Sequence, residues 1–553
     1  VEWVAAPVPS AAAGLEQAGL PSWLAILLAR RGVVDSADAD RFLKPSLDQL
    51  HDPFLLAGME EAVCRLVDAR NRGEKVAIVG DYDVDGISAT AQLLAVFARC
   101  GVEATPILPN RLREGYGFQP VHVERARALG CGLIVTADCG SSSATAVEAA
   151  LAAGIGVVIT DHHLPGCELP EGVLHINPRQ ARCTYPFPDL AAAGLALKLA
   201  LALAGRCGKP VDPAILLRIA CLGTIADLVP LQGENRVIAA LGLAAMVDTR
   251  SLGLKALIQQ SGMKPPFTAA DVGFRIGPRI NAAGRLHEPE RALELLMSRD
   301  AGRAFELAQE LDGWNRERQT TEMRVVEEAR QRFEARSPLP PILVEWSADW
   351  HKGVVGVAAG RVAKDFHRPV ILLSVEGEAA TGSGRSVPGL DLHGFLSGWK
   401  ERMTRFGGHT QAVGMTADVA RMEELRQEWE AAGESWPAEL LARRYEYELH
   451  LEPREISATL LAQLGALEPF GQGNARPLVR TGPLRLHGEP RLFGKGHLSA
   501  RARGEDGSAV ELVGWRWQER LENLRGSFEV LACVENDTYR GGPVLRLVDS
   551  RPA

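Results

Sequence analysis

Three short aliphatic runs, Val76-Ala-Ile-Val79, Leu133-Ile-Val135 and Val157-Val-Ile159, are each followed within three residues by an aspartate at a turn. Unbroken apolar runs of this length read as strands buried on both faces. Helical spacing lies between them, in residues 91–97 and 146–153. Strands that alternate with helices imply a parallel sheet closed by crossover connections. Such a sheet gathers the C-terminal ends of its strands along one edge, where open α/β sheets place their sites. The acidic turns therefore converge although they lie far apart in the chain.

The densest of them is Gly80-Asp81-Tyr82-Asp83-Val84-Asp85-Gly86, with carboxylates at every second position. An extended segment puts all three on one face, and a turn at Gly86 aims two or three at adjacent cations. A calcium loop counted from Asp81 fails, because its twelfth position is Gln92, which cannot supply the bidentate carboxylate. The second strand runs into Thr136-Ala-Asp138-Cys-Gly140 and the third into Thr160-Asp161-His162-His163. Asp227, after a helical stretch at residues 215–226, is a further candidate ligand. Each acidic turn alone reads as ordinary turn or cap chemistry. Three at one sheet edge read as a metal site. Of the two adjacent histidines one normally points elsewhere, so His163 either holds a phosphate oxygen or is structural. Mixed Asp/His ligation suits Mn2+ or Mg2+, with imidazole favouring manganese. Two ions sharing a carboxylate fit the logic of phosphodiester hydrolysis.

Composition narrows the class. The chain has 553 residues, 46% of them hydrophobic, too many for one core. No apolar run reaches the length of a membrane span, and the first 15 residues lack the pattern of a signal peptide. Nine scattered cysteines with no Cys-x-x-Cys pair argue against a disulfide framework and a zinc ribbon, so a reducing cytoplasm fits. The net charge of −8 carries no basic footprint, but residues 470–553 hold 13 Lys and Arg against 10 Asp and Glu.

Five segments are expected. Residues 1–73 read as an N-terminal helical segment, with Ser36 as a cap and helical spacing at residues 59–70. Residues 74–300 form the α/β domain of the acidic turns. Residues 301–340 are a long connecting helix, ended by Ser337-Pro-Leu-Pro-Pro341. Residues 341–446 form a second α/β accessory domain. Residues 447–553, with short runs and frequent turns, suggest a small β-barrel.

At the metal residues the sequence resembles the DHH phosphoesterase family, named for the triplet Asp161-His162-His163 and accompanied by Asp81-Tyr-Asp-Val-Asp-Gly86 and Asp138-Cys-Gly140. The resemblance extends through Gly277-Pro-Arg-Ile-Asn-Ala-Ala-Gly-Arg285, Trp350-His-Lys-Gly-Val-Val-Gly-Val-Ala-Ala-Gly-Arg361, Gly382-Ser-Gly-Arg-Ser386, Phe406-Gly-Gly-His409 and Glu468-Pro-Phe-Gly-Gln-Gly-Asn474. It implies a DHH catalytic domain at 74–300, a DHHA1-like substrate-binding domain at 341–446 and an OB-fold at 447–553. It also implies one ion held mainly by Asp83 and Asp138, with Asp81, and a second by Asp85, Asp138, His162 and Asp227. Asp138 would bridge, and His163 would face the scissile phosphate. The activity implied is a 5′ to 3′ single-stranded DNA exonuclease of DNA repair and recombination. Helicase and single-strand-binding-protein partners come with the resemblance alone. Ala475 and Val413 depart from the family's usual Pro and Ala, and neither is a ligand.

Glycine-rich segments let a backbone approach phosphate, and arginine clamps it through paired hydrogen bonds. Ser383, Arg385, Gly408 and His409 are therefore expected to bind substrate opposite the metals, with Arg111, Arg279 or Arg285 reaching from the first domain. In the barrel, Phe493, Trp515 and Trp517 lie among arginines and suit base stacking, although a Trp-x-Trp pair more often faces a core. No base-reading motif is present, so sequence preference should be slight and binding should fall steeply with salt. The competing readings are a DHH phosphoesterase for short oligonucleotides or cyclic dinucleotides, and an inactive DNA-binding scaffold. Intact ligands argue against the scaffold, and chain length and the barrel against the smaller substrates.

Overall fold

A computed structural model describes residues 1–110, 114, 117–537 and 541–553. Its first α/β unit is a five-stranded, wholly parallel sheet in the spatial order Ala104–Ile107, Lys75–Gly80, Cys131–Ala137, Gly156–Thr160, Leu174–Ile176. Side chains alternate between its faces. Val76, Ile78, Leu133 and Val135 join a large core with the helices that follow. Ala77, Val79 and Ile134 pack against helices Pro120–Ala128 and Ala144–Ala152 on the other side. Burial on both faces explains why these strands read as unbroken apolar runs. The strand order reverses on either side of Lys75–Gly80, which opens a crevice beyond its C-terminal end.

Helices Ala192–Arg206 and Pro213–Ala226 then stack against helix Val84–Cys100, and helix Gly233–Met246 packs on Pro213–Ala226. The expected connecting helix runs unbroken over Ala301–Glu334, roughly 50 Å at ~1.5 Å per residue. Its early apolar residues Ala304, Leu307, Ala308 and Leu311 belong to the first domain's core. Its late ones, Val325, Val326, Ala329 and Phe333, belong to the second domain's. It thus links two cores through one rigid element.

The accessory sheet has the order Arg405–His409, Ala412–Asp418, Ala379–Arg385, Val370–Glu376, Leu343–Ser347, with only the last two parallel. Val370 and Leu372 face helix Lys352–Phe366, while Ile371 and Leu373 face the opposite core. At the C-terminus, strands Val479–Leu486, Phe528–Asn536, Pro543–Pro552, Ala509–Gly514 and His497–Gly504 close into a five-stranded barrel through the pairing of the last with the first.

The N-terminal segment contains features the sequence reading did not anticipate. Strand Glu2–Ala5 pairs in parallel with Arg444–Tyr447, and Leu15, Leu24, Leu27 and Leu28 share a core with barrel residues Leu449, Leu484 and Leu512. Asp35, rather than Ser36, caps helix Ser36–Leu43 by accepting the Asp38 N–H. Among the described residues no helix is long and apolar enough to cross a membrane.

Candidate metal centre

The acidic turns form one row at the C-terminal edge of the parallel sheet. The N–H of Asp81 donates to the Ala137 carbonyl (3.0 Å), that of Asp138 to Thr160 (3.1 Å) and that of Asp161 to Ile176 (3.2 Å). The ladder therefore runs one residue past the strand ends and sets the register of the three aspartates. Asp138 takes a left-handed backbone with φ +72°, an uncommon conformation for a residue with a Cβ and one that aspartate and asparagine tolerate best. Such strain concentrates where a side chain must be aimed at a site.

Three overlapping groups of ligand atoms result, each with its atoms within 4.8 Å of one another: Asp81, Asp83 and Asp138; Asp138, His162 and His163; and Asp85, His162 and Asp227. His162 Nε2 lies 3.2 Å from Asp138 Oδ1, 3.6 Å from Asp227 Oδ2 and 3.8 Å from Asp85 Oδ2. Asp138 Oδ1 and both His162 ring nitrogens are buried without a hydrogen-bond partner among the described residues. Buried polar atoms left in this way are costly unless a further group completes them. A pair of hard divalent cations suits this donor set, with Asp138 common to both sides.

The electrostatics point the same way. Burial, then the charge of Asp83, raises the Asp85 carboxyl to about 7. Burial, then Asp85 and Asp83, raises Asp227 to about 8. Asp138 is driven well above the carboxylate range by burial and by Asp85, Asp83, Asp81 and Asp227. Burial, then the neighbouring His163, lowers His162 to about 3 and keeps its imidazole neutral, the form that ligates metals.

Each ligand is held by local chemistry. Asp83 caps helix Val84–Cys100, accepting the N–H groups of Asp85 (2.9 Å) and Gly86 (3.1 Å). Asp85 accepts the N–H groups of Ala192 (2.7 Å) and Ala193 (2.8 Å), at the start of helix Ala192–Arg206 where Ala191 provides no side-chain cap. Asp227 directly follows helix Pro213–Ala226. On that helix a Cβ at Gly223 would lie 2.3 Å from Asp85 Oδ1 and 2.6 Å from the Ala193 Cβ. Gly223→Ala is therefore expected to displace Asp85 and weaken Mn2+ binding about 10- to 100-fold, the range for outer-sphere disruption. Calorimetric titration with Mn2+ measures it, and native affinity would show that Asp85 needs no such room.

Several contributors escaped the sequence reading. Asp161 belongs to none of the three groups. Its Oδ1 accepts from His163 Nδ1 (2.7 Å) and from the N–H groups of His162 (2.8 Å) and His163 (3.1 Å), while Oδ2 accepts the Ser141 N–H (2.8 Å). Burial opposes ionisation of both partners, yet their contact holds Asp161 at about 2 and His163 at about 9. Behind them Asn177 donates to Ser141 Oγ and to the His163 carbonyl, both at 2.8 Å. Asn281 accepts the Val84 N–H (3.2 Å), which ties the Gly277 to Arg285 run to the acidic loop. Asp161 was legible in principle, since an aspartate followed by two turn residues commonly bonds their N–H groups.

The substrate-binding candidates scatter more widely. Gly353 packs so closely on Arg285 that a Cβ there would lie 2.5 Å from the Arg285 carbonyl, and one at Gly356 would meet Ser383 Oγ at 3.0 Å and Arg385 Nη2 at 3.3 Å. Ser383 and Arg385, on strand Ala379–Arg385, thus pack against helix Lys352–Phe366, which abuts Arg285 of the first domain. Gly408, at φ +142°, crowds the Ala412 carbonyl, and His409 is exposed beside it. Arg279 is engaged elsewhere, pairing with Asp312 at 2.7 Å. Arg111 lies outside the described residues. In the barrel the two tryptophans part company: a left-handed Arg516 (φ +56°) turns Trp517 into the core at 4% exposure and leaves Trp515 55% exposed beside Phe493 and His497. The strand ends at Gly514, so the two rings do not share a face and Trp517 offers nothing to a base.

Fold and site together define a DHH-type phosphoesterase. The DHH family, N-terminal domain, matches residues 75–224, the DHHA1 domain residues 339–433 and the RecJ OB domain residues 447–548. The chain belongs to the RecJ family of single-stranded-DNA-specific exonucleases. It is 36% identical over 505 residues to the Salmonella typhimurium RecJ, covering 87% of this chain and 86% of that protein. It is 37% identical to the Bacillus subtilis RecJ over 92% of this chain, and it spans 65% of that longer protein. The crystal structure of Thermus thermophilus RecJ in complex with Mn2+ superposes with a TM-score of 0.83 at 30% identity, covering all of this chain and 80% of that one. The corresponding Mg2+ complex gives 0.79 at 28% identity.

Proposed function

We propose that the chain hydrolyses single-stranded DNA from its 5′ end, with two Mn2+ or Mg2+ ions held by Asp81, Asp83 and Asp138 on one side and by Asp85, Asp138, His162 and Asp227 on the other. The observation that carries this reading is the sharing of Asp138 between neighbouring ligand groups. When bound, two such ions would supply an activated water and charge stabilisation of the departing oxygen.

The protein's own groups do the rest. Asp161 fixes the His163 ring through Nδ1 and keeps it protonated, so Nε2 carries an N–H as well. With its side chain 45% exposed, His163 can hold a non-bridging phosphate oxygen at the centre. Asp138, strained toward the cluster, orients the ligand field. Ser383 and Arg385, on strand Ala379–Arg385 and packed against the helix that abuts Arg285, would receive the phosphate at the DNA strand's end, and a pocket closed there would account for cleavage from a terminus.

Arg385→Ala tests the pocket. Degradation of 5′-phosphorylated strands is expected to slow by about 10- to 100-fold, the ~1.5–3 kcal/mol of a charged hydrogen bond, with less effect on 5′-hydroxyl strands. Equal kinetics on both ends would remove Arg385 from the pocket. The activity itself is tested with 5′- and 3′-labelled single strands, duplex DNA, RNA and a dinucleotide in Mn2+, Mg2+ or chelator. Mononucleotides released from the 5′ end of single strands alone support the reading, whereas turnover confined to the dinucleotide would replace it with the short-substrate phosphoesterase.

A further inference from the structure

One face of helix Ala301–Glu334 changes character along its length. It is apolar where it enters the catalytic core, through Leu311, and apolar again from Val325 in the accessory core. Between them the same face carries Asn315, Arg318 and Glu322, all buried. Buried charge is expensive in a core and is kept where it is paired or put to use. This polar stretch is where the helix passes from one domain to the other, flanked by the Arg279–Asp312 pair on the catalytic side and by helix Lys352–Phe366 on the accessory side.

Glu322 faces two guanidinium groups. Its Oε2 accepts from Arg318 Nη1 at 2.6 Å, and Arg318 also donates to Asn315 Oδ1 through Nε (3.2 Å) and Nη2 (3.1 Å). Arg361 Nη1 approaches Glu322 Oε1 only to 3.6 Å, too long for a hydrogen bond, and its side chain stays 38% exposed. One carboxylate thus serves two cations, leaving the trio one positive charge in excess. Arg361 also adjoins the glycine face on which Arg385 and Ser383 rest, since a Cβ at Gly360 would lie 3.8 Å from Arg385 Cγ.

We propose that Arg361 is a phosphate-binding residue at the junction of the two α/β domains, with Glu322 and Arg318 holding it in place. Its ligand is an internal phosphodiester of the bound strand, separate from the terminal phosphate assigned to Arg385 and Ser383. A phosphodiester monoanion balances the surplus charge and accepts the donors that Glu322 does not reach. The proposal rests on the strand-degrading reading above.

The test compares Arg361→Gln and Arg361→Lys with the unaltered chain, using a 12-nucleotide oligothymidylate in chelator across a salt series, then steady-state degradation in Mn2+. For Arg361→Gln the Kd is expected to rise about tenfold and the slope of log affinity against log salt to flatten by about 0.7, one phosphate contact on a single strand. The loss should appear in KM rather than kcat. Arg361→Lys, which keeps the charge, should retain most of the slope. An unchanged slope in Arg361→Gln, or equal loss of affinity in both variants, overturns the proposal, because a purely structural ion pair has no reason to alter counter-ion release. If the unaltered chain neither binds the oligonucleotide in chelator nor degrades it in Mn2+, the proposed activity falls instead.

Discussion

Asp138→Asn is expected to lower kcat on single-stranded DNA by about a thousandfold or more, because one substitution removes a ligand from both neighbouring groups. A metal pair supplies several kcal/mol of transition-state stabilisation, at ~1.36 kcal/mol per decade of rate. The same substitution should not lower the melting temperature of the metal-free protein. Asp138 is buried and pushed upward by four neighbouring carboxylates, so a neutral amide relieves repulsion there. Asparagine also tolerates the φ of +72°, which alanine accepts less readily. Rates in saturating Mn2+ and melts in chelator separate the two effects. Near-normal turnover would contradict a shared ligand, and a large fall in melting temperature would mark Asp138 as structural.

The metal-free protein should lose stability as pH rises from 5 to 8.5, with divalent cations reversing the loss. Asp85 and Asp227 titrate at about 7 and about 8 in the fold, against 3.8 without it, and His163 at about 9 against 6.5. Groups with raised values bind more protons folded than unfolded, so their contribution is complete below the unfolded value and fades as pH climbs through the folded one. For the two carboxylates the window runs from about pH 4 to 8. For His163 it lies between about 6.5 and 9. Asp161, lowered to about 2, has the opposite sign and matters only in acid, where its contribution disappears as pH falls below about 4. His162, lowered from 6.5 to about 3, also has the opposite sign and offsets part of the carboxylate loss below about pH 6.5, so the decline is steepest above it. A decline of several degrees is expected, at ~2–4 °C per kcal/mol for a domain of this size. Mn2+ favours the ionised carboxylates and should raise the melting temperature most at the alkaline end. A melting temperature that climbs from pH 5 to 8.5 in chelator would mean that the carboxylates are not mutually repelling in solution.

Much of the metal centre could be read from residue order. Apolar runs buried on both faces announced parallel strands, and a parallel sheet aligns its C-terminal ends, so Asp81, Asp138 and the Asp161 triplet had to meet. The long helix was equally plain, since 34 residues without proline between two apolar patterns leave little else to form. The phosphate-binding candidates were less legible. Arginine looks the same in a sequence whether it pairs with a neighbour, as Arg279 does with Asp312, or lies along a glycine face, as Arg385 does. The Trp515-Arg-Trp517 motif misled for a local reason. A single left-handed residue reversed the alternation that strand periodicity predicts.

Local pattern thus determined which residues become strands and helices and which carboxylates end up at a common edge, because side-chain alternation and hydrogen-bond ladders act over a few residues. Tertiary structure alone decided the rest. It turned Asp161 away from the ligand groups to orient His163, made Asp85 the cap of a helix more than a hundred residues away, and laid Asn315, Arg318 and Glu322 along the junction between two domains. Those roles depend on contacts between distant segments, whose geometry is set by how whole cores pack.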